Sequence, residues 1–377
     1  MKRVAATPRR DWRERVEQLG LLYHTGATPY WDESAYYAFT ATEIGVLETA
    51  TNDVHAMCLE AVQQVIDGHR WDELAISPLA RVLIERSWNE EPPSLYGRFD
   101  LAYDGSGPPK LLEYNADTPT ALLEAAVVQW QWLQDVAPST DQFNSIHERL
   151  VQGWRELALS LPGRALHVAT VDDWEDAITA TYLRDVAEQA GLSTVQLRVE
   201  DIGWNSARRR FVDLAERDID TIFKLYPWEW LVSEDFSVHL LDAISTTRWI
   251  EPAWKMVLSN KGILAVLWEL HPGHENLLEC HREQAGLAEY ARKPLLSREG
   301  ANVTLVSPSR GLAEGIDAGY GGEGFVYQAL APTSRFDNRF PVIGSWVIKG
   351  ESAGIGIRES DRPITDNSSR FLPHLFE

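Results

Sequence analysis

The sequence predicts an α+β fold with mixed or antiparallel sheets and a smaller α/β unit interleaved with them. Two stretches far apart in the chain, 98–115 and 341–358, alternate apolar and polar residues on either side of a turn, as antiparallel hairpins do. Between them, apolar runs at 167–171, 195–199 and 221–225 alternate with a helical stretch, the strand–helix–strand order of an α/β unit. Amphipathic helical patterns flank the first hairpin. The expected segments are 1–164 (N-terminal helices and the first hairpin), 165–230 (the small α/β unit) and 231–377, the last interleaved with the first.

Residues 8–20 and 42–69 read as helices, the second with Ile44, Leu47, Val54, Met57, Cys58, Ala61, Val62 and Val65 on one face and a stop at Gly68. Tyr30–Thr40 is aromatic-rich and reads as turn-like, with its rings in the core. A short helix is expected at 76–86. Arg98–Tyr103 and Lys110–Asn115 then alternate around the turn DGSGPP. Pairing Tyr103 with Lys110 sets Asp100 opposite Glu113 and Arg98 opposite Asn115, four polar side chains on one face.

Asp117 to Thr120 reads as a helix start, a polar cap with a proline near the first turn, whose free N–H groups could receive an anion. Further helices are expected at 142–160, from Asp172–Asp176 to Gly191, at 234–246, at 262–269 with an exposed Lys261 before it, and at Glu283–Tyr290. Val303–Val306 and Phe325–Leu330 read as strands. In the final hairpin Gly354 and Gly356 alternate with isoleucines, which predicts a bare face open to a ligand, continued by Arg358.

A chain of 377 residues, 44% hydrophobic and 24% charged, suits a folded protein with a large core. No apolar run is long enough for a membrane span, and the basic N-terminus lacks the apolar core of a secretory signal, so no membrane partner is expected. Two distant cysteines, Cys58 and Cys280, both in helical patterns, point to a reducing cytoplasm. A net charge of −21 argues against nucleic acid as a partner and permits cationic substrates.

The polar face of the first hairpin carries the chemistry. Facing carboxylates repel. A divalent cation held by Asp100, Glu113 and the Asn115 amide would remove the repulsion, and hard oxygen donors suit Mg2+, with Arg98 free for a phosphate oxygen. A solvated sheet face with an Arg–Asp ion pair is the other reading. Asp172–Asp176 likewise either faces a substrate at a strand end or favours a helix dipole. Ser297–Asn302 is either a tip that closes over phosphates or a plain turn.

RFD…EYNADTPT, KLYPWEW, EPAWK…LSNK, ARKPLLSREGANV and IGSWVI…SAGIGIRE…SRFLPH together resemble the synthetase domain of the glutathionylspermidine synthase family and its stand-alone relatives, through nearly the whole chain. The resemblance implies an ATP-grasp fold and an ATP-dependent carboxylate–amine ligase that forms an amide through an acyl phosphate. Its small-molecule substrates would be a peptide or amino-acid carboxylate and a polyamine or other amine. It implies Mg2+ on Asp100, Glu113 and Asn115, and Arg98 and Arg358 on the transferring phosphate. Lys261 and Lys293 would reach the nucleotide, Gln328 the adenine, and Ser297, Gly300, Ala301 and Asn302 would form the loop over the phosphates. Thr118 and Thr120, standing where the family has serines, would touch the first substrate, and Glu175 and Asp176 would line the substrate cleft. The amidase domain that precedes the synthetase in bifunctional members is expected to be absent. The alternatives are a non-catalytic nucleotide-binding protein that keeps the fold and a metal-dependent hydrolase on the same carboxylates.

Overall fold

The computed structural model of the chain describes residues 1–26, 29–92, 94–163, 165–309, 311–332 and 335–377. Both hairpins form, and they form one sheet. Its five antiparallel strands run in the order Arg370–Leu372, Glu351–Ser360, Phe340–Ile348, Tyr96–Ala102 and Lys110–Asn115, so the end of the chain pairs directly with the first hairpin. Gly344 lies opposite Asp100, and Ser345 opposite Phe99. Alternation then sorts the two faces. Phe99, Tyr114, Ile355 and Ile357 join the apolar core with the long helix Ala41–Asp67, whose Thr51 meets Ser345 hydroxyl to hydroxyl at 2.7 Å. The opposite face carries Arg98, Asp100 and Gly344.

The expected α/β unit is a four-stranded parallel sheet in the order Arg248–Ile250, Thr221–Leu225, Ala165–Thr170 and Ser193–Arg198, crossed by the helix Trp174–Gln189. Its edge strand comes from beyond residue 230. A second antiparallel sheet, in the order Cys280–His281, Phe325–Ala329, Tyr290–Pro294, Thr304–Ser307 and Gly311–Glu314, follows in the C-terminal part. A three-stranded sheet of Lys2–Ala5, Ala35–Phe39 and His374–Phe376 ties the two ends of the chain together. The molecule is a mixed α+β protein with several sheets.

The long helix runs as read, from a capping box at Thr40 and Glu43 to Gly68. Several expectations need correction. Residues 283–290 are not helical: Tyr290–Pro294 is a strand, and Cys280 sits in a strand, not a helix. Burial nonetheless makes both cysteines inert, raising the Cys58 thiol and pushing the Cys280 thiol up to about 12. The aromatic stretch at 30–40 is core, with Trp31 and Tyr37 fully buried, but half of it is the strand Ala35–Phe39.

The helix expected from Asp117 starts later, at Leu122, after Ala121 in the left-handed region at φ 62°, and becomes π-helical over Glu124–Val128. The glycine face of the last hairpin is not open. A methyl group on Gly356 would lie 2.6 Å from the Phe371 ring, and one on Gly354 would lie 2.8 Å from the Phe143 carbonyl oxygen. Those glycines let other parts of the protein approach the sheet, not a ligand. Among the described residues no helix is long and apolar enough to cross a membrane.

Candidate active site

Asp100 faces Glu113 and Arg98 faces Asn115, as expected, but the register is reached differently. Lys110 opposes Ala102 rather than Tyr103, and one extra residue on the second strand, Leu112, restores the pairing. The bulge frees the Leu112 carbonyl, which accepts from Lys293 Nζ at 2.8 Å. Gln328 donates to the Leu111 carbonyl at 3.0 Å and accepts from Lys293 Nζ at 2.7 Å. The irregularity that misleads the register also docks the second antiparallel sheet onto the hairpin.

Asp100 is held between two guanidiniums, Arg98 Nε at 2.9 Å from Oδ1 and Arg358 Nη2 at 2.7 Å from Oδ2. Arg98 also donates to the Thr120 carbonyl at 2.8 Å. Glu113 meets Lys261 Nζ at 3.0 Å and the Asn115 amide at 3.3 Å. Burial pushes the Glu113 carboxyl up, yet Lys261 and Lys293 outweigh it and hold it at about 2. Burial also brings the Lys293 ammonium down to about 8, with Glu113 opposing.

The repulsion between the facing carboxylates is therefore met by side-chain cations, and no metal is needed to explain it. The Arg98–Asp100 ion pair of the other reading is present, but it is buried, with Arg98 6% and Asp100 4% exposed, while Glu113 and Asn115 are half-buried. Among the described residues no three His, Cys, Asp or Glu side chains gather into a metal site. Two carboxylates and an amide on adjacent strands still fit an ion that keeps several waters and takes further oxygens from phosphates, the habit of Mg2+.

Gly344 makes room for Arg98: a methyl group there would lie 2.9 Å from Arg98 Cδ. Since Asp100 and the Thr120 carbonyl pin the guanidinium, Gly344→Ala is expected to displace Arg98. The expected result is a fall in turnover of about tenfold or more with the fold retained, read from turnover beside a thermal melt.

A cavity of about 1330 Å³ opens over this face. Its walls include Arg98, Asp100, Glu113, Asn115 and Arg358, with Lys293 and Gln328 beside them. Thr118, Thr120, Glu175, Asp176 and Gly300 line it as well. Lys261, Ser297, Ala301 and Asn302 do not. Lys261, expected to be exposed, is buried, its ammonium held by Glu113 and the Ser297 carbonyl. Ala301 is buried, and Asn302 binds its loop to Asp317, Ala318 and Tyr320.

The acidic stretch starts a helix and also lines the cavity. Asp173 caps the helix Trp174–Gln189, accepting from the Glu175 and Asp176 amides at 2.9 and 3.3 Å. That turn delivers Glu175 to Thr120, whose hydroxyl donates to it. Burial pushes the Asp176 carboxyl up to about 7, helped by Asp173, Glu175 and Glu299 and opposed by Arg298.

Sequence reasoning missed two fixtures. Arg298 in the loop binds Glu229 at 2.7 Å and the Thr118 hydroxyl at 2.9 Å, its guanidinium 5.6 Å from the Trp230 ring centre. Asp117 is no cap but a buried partner of Lys224 at 2.6 Å, also accepting from the Trp228 amide at 2.9 Å. These residues lie in stretches that carry the family resemblance, but nothing in a linear sequence pairs them.

A large cavity whose walls carry paired charges of both signs suits an enzyme of small polar substrates. The relatives fix its class. A Haemophilus influenzae protein that carries the name of an acid–amine ligase is 42% identical over 394 residues, with both chains covered throughout. The trypanothione synthetase of Crithidia fasciculata is 28% identical over 349 residues, 84% of this chain and 53% of its own. The bifunctional glutathionylspermidine synthetase/amidase of Escherichia coli K12 is 24% identical over 396 residues, 96% of this chain and 63% of its own. The chain thus spans all of the first relative but less than two thirds of the other two. It is an enzyme of the acid–amine ligase class. More particularly, the glutathionylspermidine synthase preATP-grasp model matches residues 3–377, and the chain belongs to that family.

Proposed function

We propose that this enzyme, with an ATP-grasp fold, uses ATP to activate a peptide or amino-acid carboxylate as an acyl phosphate and then joins it to a polyamine or another amine. The observation that carries the reading is one cavity lined both by cations beside Asp100 and Glu113 (Arg98, Arg358 and Lys293) and by the carboxylates Glu175 and Asp176, with Thr120 touching both Arg98 and Glu175. Cationic groups suit anionic phosphates, and carboxylates suit an ammonium. A carboxylate oxygen attacks the γ-phosphorus and ADP leaves. The amine nitrogen then attacks the acyl carbon, phosphate leaves, and the amine gives up a proton.

In this reading Arg98 and Arg358 hold the transferring phosphoryl group, since phosphoryl transfer is helped mainly by positioning and countercharge. Lys261 fixes Glu113 and the Ser297 carbonyl, Lys293 and Gln328 reach the nucleotide, and the loop with Ser297, Gly300, Ala301 and Asn302 keeps water from the acyl phosphate. Asp100, Glu113 and Asn115 would hold Mg2+, which when bound supplies charge neutralisation between phosphate oxygens. Thr118 and Thr120 orient the acid, and Glu175 and Asp176 orient the amine. Two buried thiols suit a cytoplasmic enzyme.

The test is ADP and phosphate release from Mg-ATP over paired acids and amines, glutathione with spermidine first, with products weighed by mass spectrometry. Amine-dependent ADP release with a new amide mass is expected. Nucleotide binding without ADP release on any pair would favour a non-catalytic protein or a substrate outside the screen.

Asp176 adds a pH signature. Its carboxyl, raised to about 7, is charged above that pH and neutral below it. The amine KM is therefore expected to rise as pH falls through about 7, and Asp176→Asn should flatten that limb of the profile.

A further inference from the structure

The acids Glu175 and Asp176 in the cavity wall share a turn with an aromatic side chain. Trp174 stands between Asp173 and Glu175, and its ring lies against Tyr23 with centroids 4.0 Å apart and planes 32° apart. Tyr30 meets Trp174 edge-on at 5.5 Å. Tyr23 and Trp174 both line the cavity, yet they stay 42% and 37% exposed, and Leu22 beside them is 73% exposed. An exposed ring leaves apolar surface in water that a ligand could bury. Neither the helix cap nor the acid cluster needs a tryptophan at this position, because Asp173 already caps the helix.

We propose that Tyr23 and Trp174 form an aromatic wall that selects an amine with an extended apolar body. The inference rests on the amide-forming reading above and deepens it. The ammonium faces Glu175 and Asp176, and the methylenes lie along the rings. Carboxylates alone read charge, so a short and a long diamine look alike to them. The rings read the body of the molecule, through apolar contact and the attraction of a cation to a π face.

The experiment compares the intact wild type with Trp174→Ala and Trp174→Phe on spermidine and on short- and long-chain linear diamines. Steady-state KM values are measured for amine, acid and ATP, and the same amines are titrated calorimetrically without ATP. Trp174→Ala is expected to raise the KM of long-chain amines about tenfold, while the short diamine and the KM values for ATP and acid stay near wild type; Trp174→Phe recovers most of the loss. An equal change for short and long amines, or a lower melting temperature with amine KM unchanged, overturns the wall. If the wild type turns over no amine but binds amines by chain length, and Trp174→Ala loses that dependence, the wall stands and the ligase reading fails. Wild-type binding that ignores chain length overturns the wall whatever the turnover.

Discussion

Asp100→Ala is expected to abolish turnover, with a loss of about a thousandfold or more, and to destabilise the protein as well. From the hairpin alone the loss would be only that of a metal ligand. The burial of the site adds a second cost. Asp100 is 4% exposed and is the partner of both Arg98 and Arg358, so alanine leaves two guanidiniums facing each other across the space it vacates. Breaking a buried ion pair from one side costs about 3–5 kcal/mol. Asp100→Asn separates the two effects, because the amide oxygen still accepts one guanidinium while the charge is gone. Thermal melts should therefore rank wild type, then Asn, then Ala, whereas ADP release should be lost in both variants. Near-normal ADP release by Asp100→Asn would remove Asp100 from phosphate and metal handling.

What made this site legible was alternation. Two short strands around one turn set Asp100, Glu113, Arg98 and Asn115 on one face, and that conclusion survived an error in its own premise. Alternation pairs Tyr103 with Lys110, whereas the structure pairs Ala102 with Lys110 and the bulge at Leu112 cancels the one-residue slip. A bulge has no reliable mark in a sequence that reads KLLEYN, since each leucine suits either face. Parallel strands were legible as apolar runs, but the edge strand Arg248–Ile250 is too short to leave a pattern. The failed helix at 283–290 has a similar cause. EQAGLAEY has acceptable helix formers, and pairing with Phe325–Ala329 on one side and Thr304–Ser307 on the other makes the following Tyr290–Pro294 a strand.

The glycines of the last hairpin do admit a close neighbour, but that neighbour is protein and not a ligand. Absent side chains do permit close approach, but what approaches Gly356 is Phe371, and the glycine that serves the site is Gly344 under Arg98. Sequence separation explains the remaining misses. Lys261, in the turn before the helix Ile263–Leu270, meets Glu113 on the hairpin, and Asp117 meets Lys224 across 107 positions. Such pairs are set by tertiary packing, which no local periodicity encodes.

That last pair supports the second large effect. Lys224→Ala is expected to destabilise the protein by about 3–5 kcal/mol, since it strands a fully buried Asp117 carboxylate. Burial pushes the Asp117 carboxyl up and the Lys224 ammonium down, so desolvation outweighs the mutual attraction. Each charge is thus tolerated for its partner's sake, and the pair is no large net source of stability. Removing both charges together, as Lys224→Met with Asp117→Leu, should then cost clearly less than Lys224→Ala alone, in a double-mutant cycle read by chemical denaturation. Turnover should not follow stability. Asp117 also accepts from the Trp228 amide, which holds the short helix Trp228–Leu231 and so the Glu229 and Trp230 that engage Arg298. The double variant is expected to fold and still to turn over slowly, because the turn carrying Thr118 and Thr120 has lost its anchor. Additive single-variant costs would show that Asp117 and Lys224 do not depend on each other, and wild-type turnover in the double variant would show that the anchor does not position the site.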